Sequence, residues 1–135
     1  VGWINTNPDS SNSNSYWKYI YPDTLALAKE WTEINGKIYY FDQNNYMATG
    51  EKYLMGNDGK YHYYYFGDDG AAKKGWQIIN GKKGFYKSDY TKVEECIYNV
   101  DGVWYAFGTW GWLVNGGVYL GYQITEDGVV IGYPG

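Results

Sequence analysis

Short runs of β-branched and aromatic residues alternate along the chain with polar, glycine-containing turns. Residues 37–41 read KIYYF, residues 61–66 read YHYYYF and residues 103–107 read VWYAF. Each run follows an Asn-Gly or Asp-Gly dipeptide, and a shorter segment with an aromatic residue precedes that dipeptide. These dipeptides tolerate the positive φ angles of a two-residue hairpin turn. The pattern therefore predicts units of strand, tight turn, strand and loop.

The turn dipeptides recur at nearly constant spacing. They are Asn35-Gly36, Asp58-Gly59, Asn80-Gly81, Asp101-Gly102, Asn115-Gly116 and Asp127-Gly128, and the first three steps between their glycines are 23, 22 and 21 residues. An isolated hairpin is marginally stable, so neighbours must stack. We expect an all-β fold of tandem short β-hairpins stacked as a β-solenoid-like repeat array. It forms a single module over 1–135 with about five to six repeats, approximately 1–30, 31–52, 53–75, 76–96, 97–114 and 115–135.

The two ends of the chain fit this frame loosely. Trp3 opens the first repeat, residues 5–15 form an enlarged Ser/Asn turn, and residues 19–21 form its second strand. A short helix beginning at Asp23 is the alternative for residues 22–31. After Gly108 we expect two abbreviated hairpins. There Trp110-Gly111-Trp112 would place both indoles on one face of a strand.

Composition and charge narrow the function. Aromatic residues make up 21% of the chain, so burial must come mainly from rings rather than from one aliphatic core. All eleven basic residues are Lys, and residues 93–135 hold five acids and no base. This balance argues against nucleic acid and anionic membranes as partners. No apolar run is long enough to cross a membrane. The chain begins and ends within the repeat pattern, so we expect a module of a longer protein.

Residues that often carry catalysis or bind metals are few. His62 has no nucleophile or carboxylate at a recognisable spacing, and Asp68-Asp69 and Glu94-Glu95 are adjacent pairs that do not face one another across a cleft. The Gly-Asp-Asp-Gly segment at 67–70 is explained better by turn geometry than by calcium binding. Cys96 is the single cysteine and is expected to be a small buried hydrophobe. We expect no enzyme activity and no cofactor.

The residues resemble a known family, the choline-binding and glucan-binding (cell-wall-binding) repeats of Gram-positive surface proteins. Residues 31–50, WTEINGKIYYFDQNNYMATG, match its unit closely, and residues 75–82 and 101–107 match parts of it. The resemblance implies a choline cage of three rings between neighbouring hairpins. The residues at the matching positions do not supply all three rings. Ile38 and Lys83 stand where the second ring is expected in the repeats of Trp31 and Trp76. In the repeat of Trp104, Tyr98 stands near the place of the expected Gly-Trp. No repeat is expected to carry the full cage, which favours sugar over choline.

The resemblance and the 29 aromatic residues together imply a secreted or cell-surface carbohydrate-binding module. The favoured ligand is an α-glucan such as starch or dextran, and an adjoining catalytic domain is an expected partner in the same chain. The alternatives are anchoring to choline, teichoic acid or peptidoglycan in the cell wall, and a structural spacer or protein-interaction arm. The residues expected to bind carbohydrate are Trp31, Tyr39, Tyr63, Tyr65, Trp76, Trp104, Tyr105, Trp110, Trp112 and Tyr119.

Overall fold

The computed structural model describes residues 2–6 and 16–132, and β-strands dominate this part of the chain. The strands are β1 (Gly2–Asn5), β2 (Trp17–Ile20), β3 (Glu30–Ile34), β4 (Lys37–Phe41), β5 (Gly50–Met55), β6 (Tyr61–Phe66), β7 (Gly75–Ile79), β8 (Lys82–Tyr86), β9 (Cys96–Val100), β10 (Val103–Phe107), β11 (Val118–Tyr119), β12 (Tyr122–Ile124) and β13 (Val130–Gly132).

Consecutive strands pair as antiparallel hairpins. The pairs are β1–β2, β3–β4, β5–β6, β7–β8 and β9–β10, and β11, β12 and β13 form a three-stranded sheet. The predicted fold class of tandem short β-hairpins is therefore confirmed. No helix among the described residues is long and apolar enough to cross a membrane.

The predicted two-residue turns occur at three positions. Both central residues have positive φ at Asn35-Gly36, Asn80-Gly81 and Asp101-Gly102, with values of 52° and 79°, 52° and 80°, and 51° and 89°. Positive φ at both positions is the requirement of the type I′ turn, whose twist matches that of paired strands. Here the dipeptide correctly predicts both the hairpin and its turn.

The other dipeptides are not hairpin turns of this kind. Asp58-Gly59 lies in a longer loop between β5 and β6, in which the Gly56 amide donates to the Lys60 carbonyl at 2.8 Å. The two-residue turn of β11–β12 is Leu120-Gly121, with φ of 51° and 82°, rather than the nearby Asn115-Gly116. Leucine rarely adopts positive φ, so its identity gave no turn signal.

Three further expectations concern the ends of the chain. Residues 22–24 form a turn and Leu27 bridges Ile20, so the alternative of a short helix there is wrong. The enlarged turn expected at 5–15 lies mostly outside the described residues. Thr109–Gly111 forms a 3-10 turn in which Trp110 has φ of 62°, so Trp110 and Trp112 do not alternate along a strand.

The loop after each hairpin repeats the same hydrogen bonds. In the loop after β4, the Asp42 amide donates to the Tyr46 carbonyl at 2.9 Å, and Met47 forms a β-bridge with Phe41. The matching bridges elsewhere are Phe66–Ala72, Tyr86–Lys92 and Phe107–Leu113. Met47, Ala72, Lys92 and Leu113 therefore hold equivalent positions, although their side chains have little in common.

The chain divides into two compact units, residues 1–73 and residues 74–135. The first unit has a core of aliphatic and aromatic residues: Ala28, Ile34, Tyr39, Phe41, Met47 and Ala71. In the second unit Val93, Phe107 and Leu113 are buried, and Phe85, Cys96, Tyr98 and Tyr105 pack against them. Phe41, Phe66, Tyr86 and Phe107 are the largest fully buried side chains, which agrees with burial based mainly on rings.

Candidate functional site

The strand registers identify equivalent ring positions in successive hairpins. Trp3 pairs with Tyr19 in β1–β2, Trp31 with Tyr40 in β3–β4, and Trp76 with Phe85 in β7–β8. We call Trp3, Trp31 and Trp76 the first-ring position. The second-ring position lies two residues before the cross-strand partner of each tryptophan. Trp17, Ile38 and Lys83 hold it.

Each first-ring tryptophan packs against a tyrosine of the following hairpin in the same unit. The ring centroids are 4.9 Å apart for Trp3 and Tyr39, 4.6 Å for Trp31 and Tyr64, and 4.9 Å for Trp76 and Tyr105. Their interplanar angles of 63°, 62° and 75° correspond to the favoured edge-to-face geometry. The first and third rings of the implied cage are therefore present in all three places.

A third ring completes this arrangement in the first hairpin pair. The indoles of Trp3 and Trp17 have centroids 6.4 Å apart and are inclined at 77°. Together with Tyr39 and Met47 they line a cavity of about 430 Å³, which Asp68 and Asp69 also border. This volume lies within the range of small-molecule sites. We refer to Trp3, Trp17, Tyr39 and Met47 as the aromatic cage.

The cage is held by the backbone of two hairpins. The Met47 amide donates a hydrogen bond of 2.7 Å to the Trp17 carbonyl, which ties the loop after β4 to β2. Met47 is 4% exposed and Tyr39 is 7% exposed, whereas both indoles are half-buried. Met47 and Tyr39 are thus packed, while the two indoles that also line the cavity keep part of their surface exposed.

The two carboxylates give one edge of the cavity a negative charge. Burial opposes the charge of Asp69, but hydrogen bonds from the Ala71 amide and the Lys73 ammonium outweigh it, so the pKa of Asp69 lies below its ordinary value. Burial, together with the charge of Asp69, raises the pKa of the Tyr39 phenol. Tyr39 is therefore neutral and Asp69 is ionised at neutral pH.

This arrangement corrects one expectation from the sequence. The expectation that no repeat carries three converging rings is wrong for β1–β2, where Trp3, Trp17 and Tyr39 meet. Ile38 and Lys83 do occupy the second-ring position of their hairpins, as expected. In β9–β10 the first-ring position is held by Ile97 rather than by Tyr98. Ile97 pairs with Ala106 and follows the Cys96–Phe107 pair, just as Trp76 pairs with Phe85 and follows the Gly75–Tyr86 pair.

The predicted residues Tyr63 and Tyr65 lie on one face of β6. Tyr63 pairs with Tyr53, and their ring centroids are 4.7 Å apart. Tyr53 also lies 5.4 Å from Tyr61 with an interplanar angle of only 24°, and both side chains are 55% exposed. We call Tyr53, Tyr61, Tyr63 and Tyr65 the tyrosine face.

The predicted residues of the second unit differ in their exposure and contacts. Tyr105 packs against Trp76, and Tyr119 is half-buried on β11. Trp104 and Trp110 are 53% and 62% exposed. Trp112 is half-buried, and the Lys92 ammonium lies 3.3 Å from its ring centroid. In the first unit, the predicted residues Trp31 and Tyr39 each pack between hairpins.

The side chains that could in principle catalyse a reaction or bind a metal make contacts within the fold. His62 Nε2 lies 2.8 Å from Asp58 Oδ2, a carboxylate partner that the spacing of residues did not indicate. Burial raises the pKa of the Cys96 thiol, although Lys87 opposes the shift. Within residues 2–6 and 16–132 no three His, Cys, Asp or Glu side chains cluster to hold a metal ion. Asp69 instead accepts the Ala71 amide at 3.0 Å within its turn.

Sequence patterns did not identify Trp3, Trp17, Met47, Asp68 and Asp69 as members of one site. The Gly2-Trp3 dipeptide was the available signal, because it matches the Gly-Trp that opens the family unit. The long segment between Trp3 and Trp17 hid the proximity of their indoles. In addition, Trp17 precedes a lysine instead of following one.

No family model and no curated protein sequence matches this chain. Solved structures do match it. The modular autolysin LytC from Streptococcus pneumoniae is 28% identical with a TM-score of 0.68, over 96% of this chain and 28% of the autolysin. Choline-binding protein F from Streptococcus pneumoniae is 26% identical with a TM-score of 0.56, over 97% of this chain and 47% of that protein. The cell-wall endolysin of phage Cp-1, solved with choline, shares the fold at 21% identity and a TM-score of 0.55, over 85% of this chain and 34% of the endolysin.

The fold and the spacing of the rings define a class of repeat proteins built from aromatic β-hairpins. Within that class the chain is similar to the choline-binding, cell-wall-binding repeat proteins, and the predicted family resemblance is confirmed. The chain spans 28% and 47% of the lengths of the first two relatives.

Proposed function

We propose that this chain binds a choline-bearing polymer of the bacterial cell wall through the aromatic cage. The observation that carries the proposal is the cavity that Trp3, Trp17 and Tyr39 line together with Met47 and two carboxylates. This choice replaces the α-glucan favoured from the sequence, because the expected absence of a complete cage was the reason to prefer sugar.

The orientation of the rings favours a compact cation over a flat sugar. Trp17 and Tyr39 are inclined to Trp3 at 77° and 63°, so the three rings form walls of a box rather than a platform. A trimethylammonium group is nearly spherical and presents positive charge on all sides. Each ring face that it contacts contributes about 0.5–2 kcal/mol, with the larger values where water is excluded.

The net charge around the cavity supports the same ligand class. Asp68 and Asp69 border it, and the Lys73 ammonium pairs with Asp69 at 3.3 Å. Lys73 and Lys37 offset much of the charge of Asp69, and Asp68 adds negative potential to the lining of the cavity. A cation gains from this potential, whereas a neutral hydroxyl group gains little.

The relatives fit this proposal. Choline-binding protein F is named for choline, and the autolysin LytC was solved in complex with a synthetic peptidoglycan ligand. By analogy, this chain is a non-catalytic binding module of a larger secreted or surface protein, with an adjoining catalytic domain as one arrangement. The module then keeps that protein at the cell wall.

Retention on an immobilised choline resin tests the proposal. We expect the chain to bind the resin and to elute with free choline but not with soluble dextran. Trp17→Ala should abolish retention, while Trp110→Ala, which removes an exposed indole outside the cage, should leave it intact. Elution by dextran, or equal retention of the two variants, would overturn the choline assignment.

The tyrosine face supports a second candidate function, contact with a glycan strand. The Tyr53 and Tyr61 rings are nearly parallel and more than half exposed, and Met55, which is 48% exposed, extends the apolar surface. Parallel exposed rings suit the flat C–H face of a pyranose, and phenol groups can hydrogen-bond its hydroxyls. Cell-wall polymers and α-glucans both present such faces.

A further inference from the structure

A buried lysine occupies an apolar position of the second unit. Lys92 is 3% exposed and forms a β-bridge with Tyr86, the position that Met47 and Leu113 hold in other hairpins. Each of these three side chains lies against a glycine of the following loop, which is Gly70 for Met47, Gly111 for Lys92 and Gly128 for Leu113. A lysine is rarely buried without a partner for its charge.

Two aromatic rings lie close to the Lys92 ammonium. Its Nζ lies 3.3 Å from the ring centroid of Trp112 and 5.7 Å from that of Tyr86, which is fully buried. The shorter distance corresponds to direct contact with the indole face, within the range of strong cation–π attraction. Lys82 Nζ lies 5.6 Å from the same indole, but its side chain is exposed.

Two glycines make room for the Lys92 side chain. A methyl group at Gly84 would lie 2.8 Å from Lys92 Cε, and one at Gly111 would lie 2.8 Å from Cδ. Gly84 pairs with Gln77 in β7–β8, and Tyr39 pairs with Thr32 at the same place in β3–β4. Gly84 therefore holds the position at which Tyr39 supplies the third ring of the aromatic cage. A ring at this position would fill the channel through which Lys92 reaches Trp112.

We infer that the second unit contains a self-occupied ammonium site, in which the Lys92 side chain is the ligand of Trp112 and Tyr86. The channel past Gly84 and Gly111 selects a linear alkylammonium, in contrast to the bulky quaternary ammonium proposed for the aromatic cage. Removing the side chain beyond Cβ vacates a site for a small primary alkylammonium ion. This inference does not depend on the proposed function, because it concerns different residues.

Chemical rescue tests the inference. n-Propylammonium contains the atoms that Lys92→Ala removes, namely Cγ, Cδ, Cε and Nζ. We expect Lys92→Ala to raise the unfolding equilibrium constant about tenfold or more in urea, and n-propylammonium to restore stability in a saturable manner. n-Propanol, which has the same shape without the charge, should restore much less, and the unsubstituted chain should not respond. Equal effects of amine and alcohol, or no rescue, would overturn the inference.

Two further variants distinguish the Lys92 site from the aromatic cage and from a general loss of packing. Trp17→Ala combined with Lys92→Ala should retain the rescue, since the aromatic cage plays no part in it. If Lys92→Ala does not fold, a double-mutant cycle of Lys92→Met and Trp112→Leu replaces it, because Lys92→Met removes the charge at nearly the same length and Trp112→Leu removes the ring but keeps an apolar side chain. A coupling of about tenfold in the unfolding equilibrium supports the inference, and additive effects contradict it.

Discussion

The Met47 amide donates a 2.7 Å hydrogen bond to the carbonyl oxygen of Trp17, and the side chains of both residues line the same cavity. The same bond joins Ala72 to Ile38 and Leu113 to Lys83, each at 2.8 Å. Because this connection uses only backbone atoms, it persists whatever side chains the two positions carry. A hairpin can therefore gain or lose a binding site by single substitutions without losing the connection between hairpins.

Ile38→Trp is expected to create a second cage in the first unit. Trp31 and Tyr64 already lie 4.6 Å apart in the same geometry as Trp3 and Tyr39, and Ile38 holds the position of Trp17. A tryptophan at 38 supplies the missing wall. Isothermal titration with choline should show the number of sites per chain rise from one to two.

Ile38→Leu is the matched control for this gain, because it keeps the apolar volume without a ring. It should leave the number of sites unchanged. A second site in the leucine variant, or none in a folded tryptophan variant, would show that three rings are not what defines a site.

Met47→Ala is expected to weaken both the fold and the cage. The side chain is 4% exposed, and removing a buried methionine side chain costs about 2–5 kcal/mol of the free energy of unfolding. Met47→Leu conserves the volume and should cost less than about 1.5 kcal/mol. Urea unfolding followed by tryptophan fluorescence measures both variants. A neutral alanine variant would mean that this side chain is not part of the core.

The pH dependence of choline binding should follow the charge of Asp69. Its pKa is lowered below the ordinary value of 3.8, so the carboxylate stays ionised as the pH falls from neutrality to about 4. Its contribution to stability is present above the unfolded-state pKa and is lost as the pH falls through the folded-state value. Choline affinity should therefore be constant from about pH 7 to 5 and should decline below about pH 4.

Asp69→Asn provides the control for this pH profile. The variant should bind choline more weakly at neutral pH, and the part of the acid-dependent decline that comes from Asp69 should disappear. An unchanged profile in a folded Asp69→Asn variant would show that this carboxylate does not act on the ligand.

Tyr53→Ala is expected to reduce retention on insoluble glycan, measured with saturating free choline so that the aromatic cage is occupied. The substitution removes a 55% exposed ring that packs on both Tyr61 and Tyr63. Tyr53→Phe keeps the ring and should keep most of the retention. If starch, dextran and cell walls all retain Tyr53→Ala as well as the unsubstituted chain, the glycan role of this face is excluded.

The sequence predicted the hairpins better than the site. Asn35-Gly36, Asn80-Gly81 and Asp101-Gly102 determine their turns locally, because few other residue pairs tolerate positive φ twice in succession. Leu120-Gly121 forms the same turn against the preference of leucine, so that turn is imposed by its surroundings.

The aromatic cage depends on contacts that residue patterns do not report. Trp3 and Trp17 come from paired strands separated by a long insertion, and Tyr39 comes from the next hairpin. Their convergence follows from the strand register and from the stacking of hairpins. Likewise, Lys83 was correctly placed at an interrupted cage position, but the buried Lys92 gave no signal in the sequence.

Calorimetric titration of the full chain with choline tests the central claim most directly. We predict saturable binding at one site per chain within the described residues, and a loss of about thirtyfold or more in affinity in Trp17→Ala, equivalent to about 2 kcal/mol. Trp110→Ala should bind as the unsubstituted chain does. Absence of binding, or binding that survives unchanged in Trp17→Ala, would contradict the assignment of the Trp3–Trp17–Tyr39 cavity as the choline site.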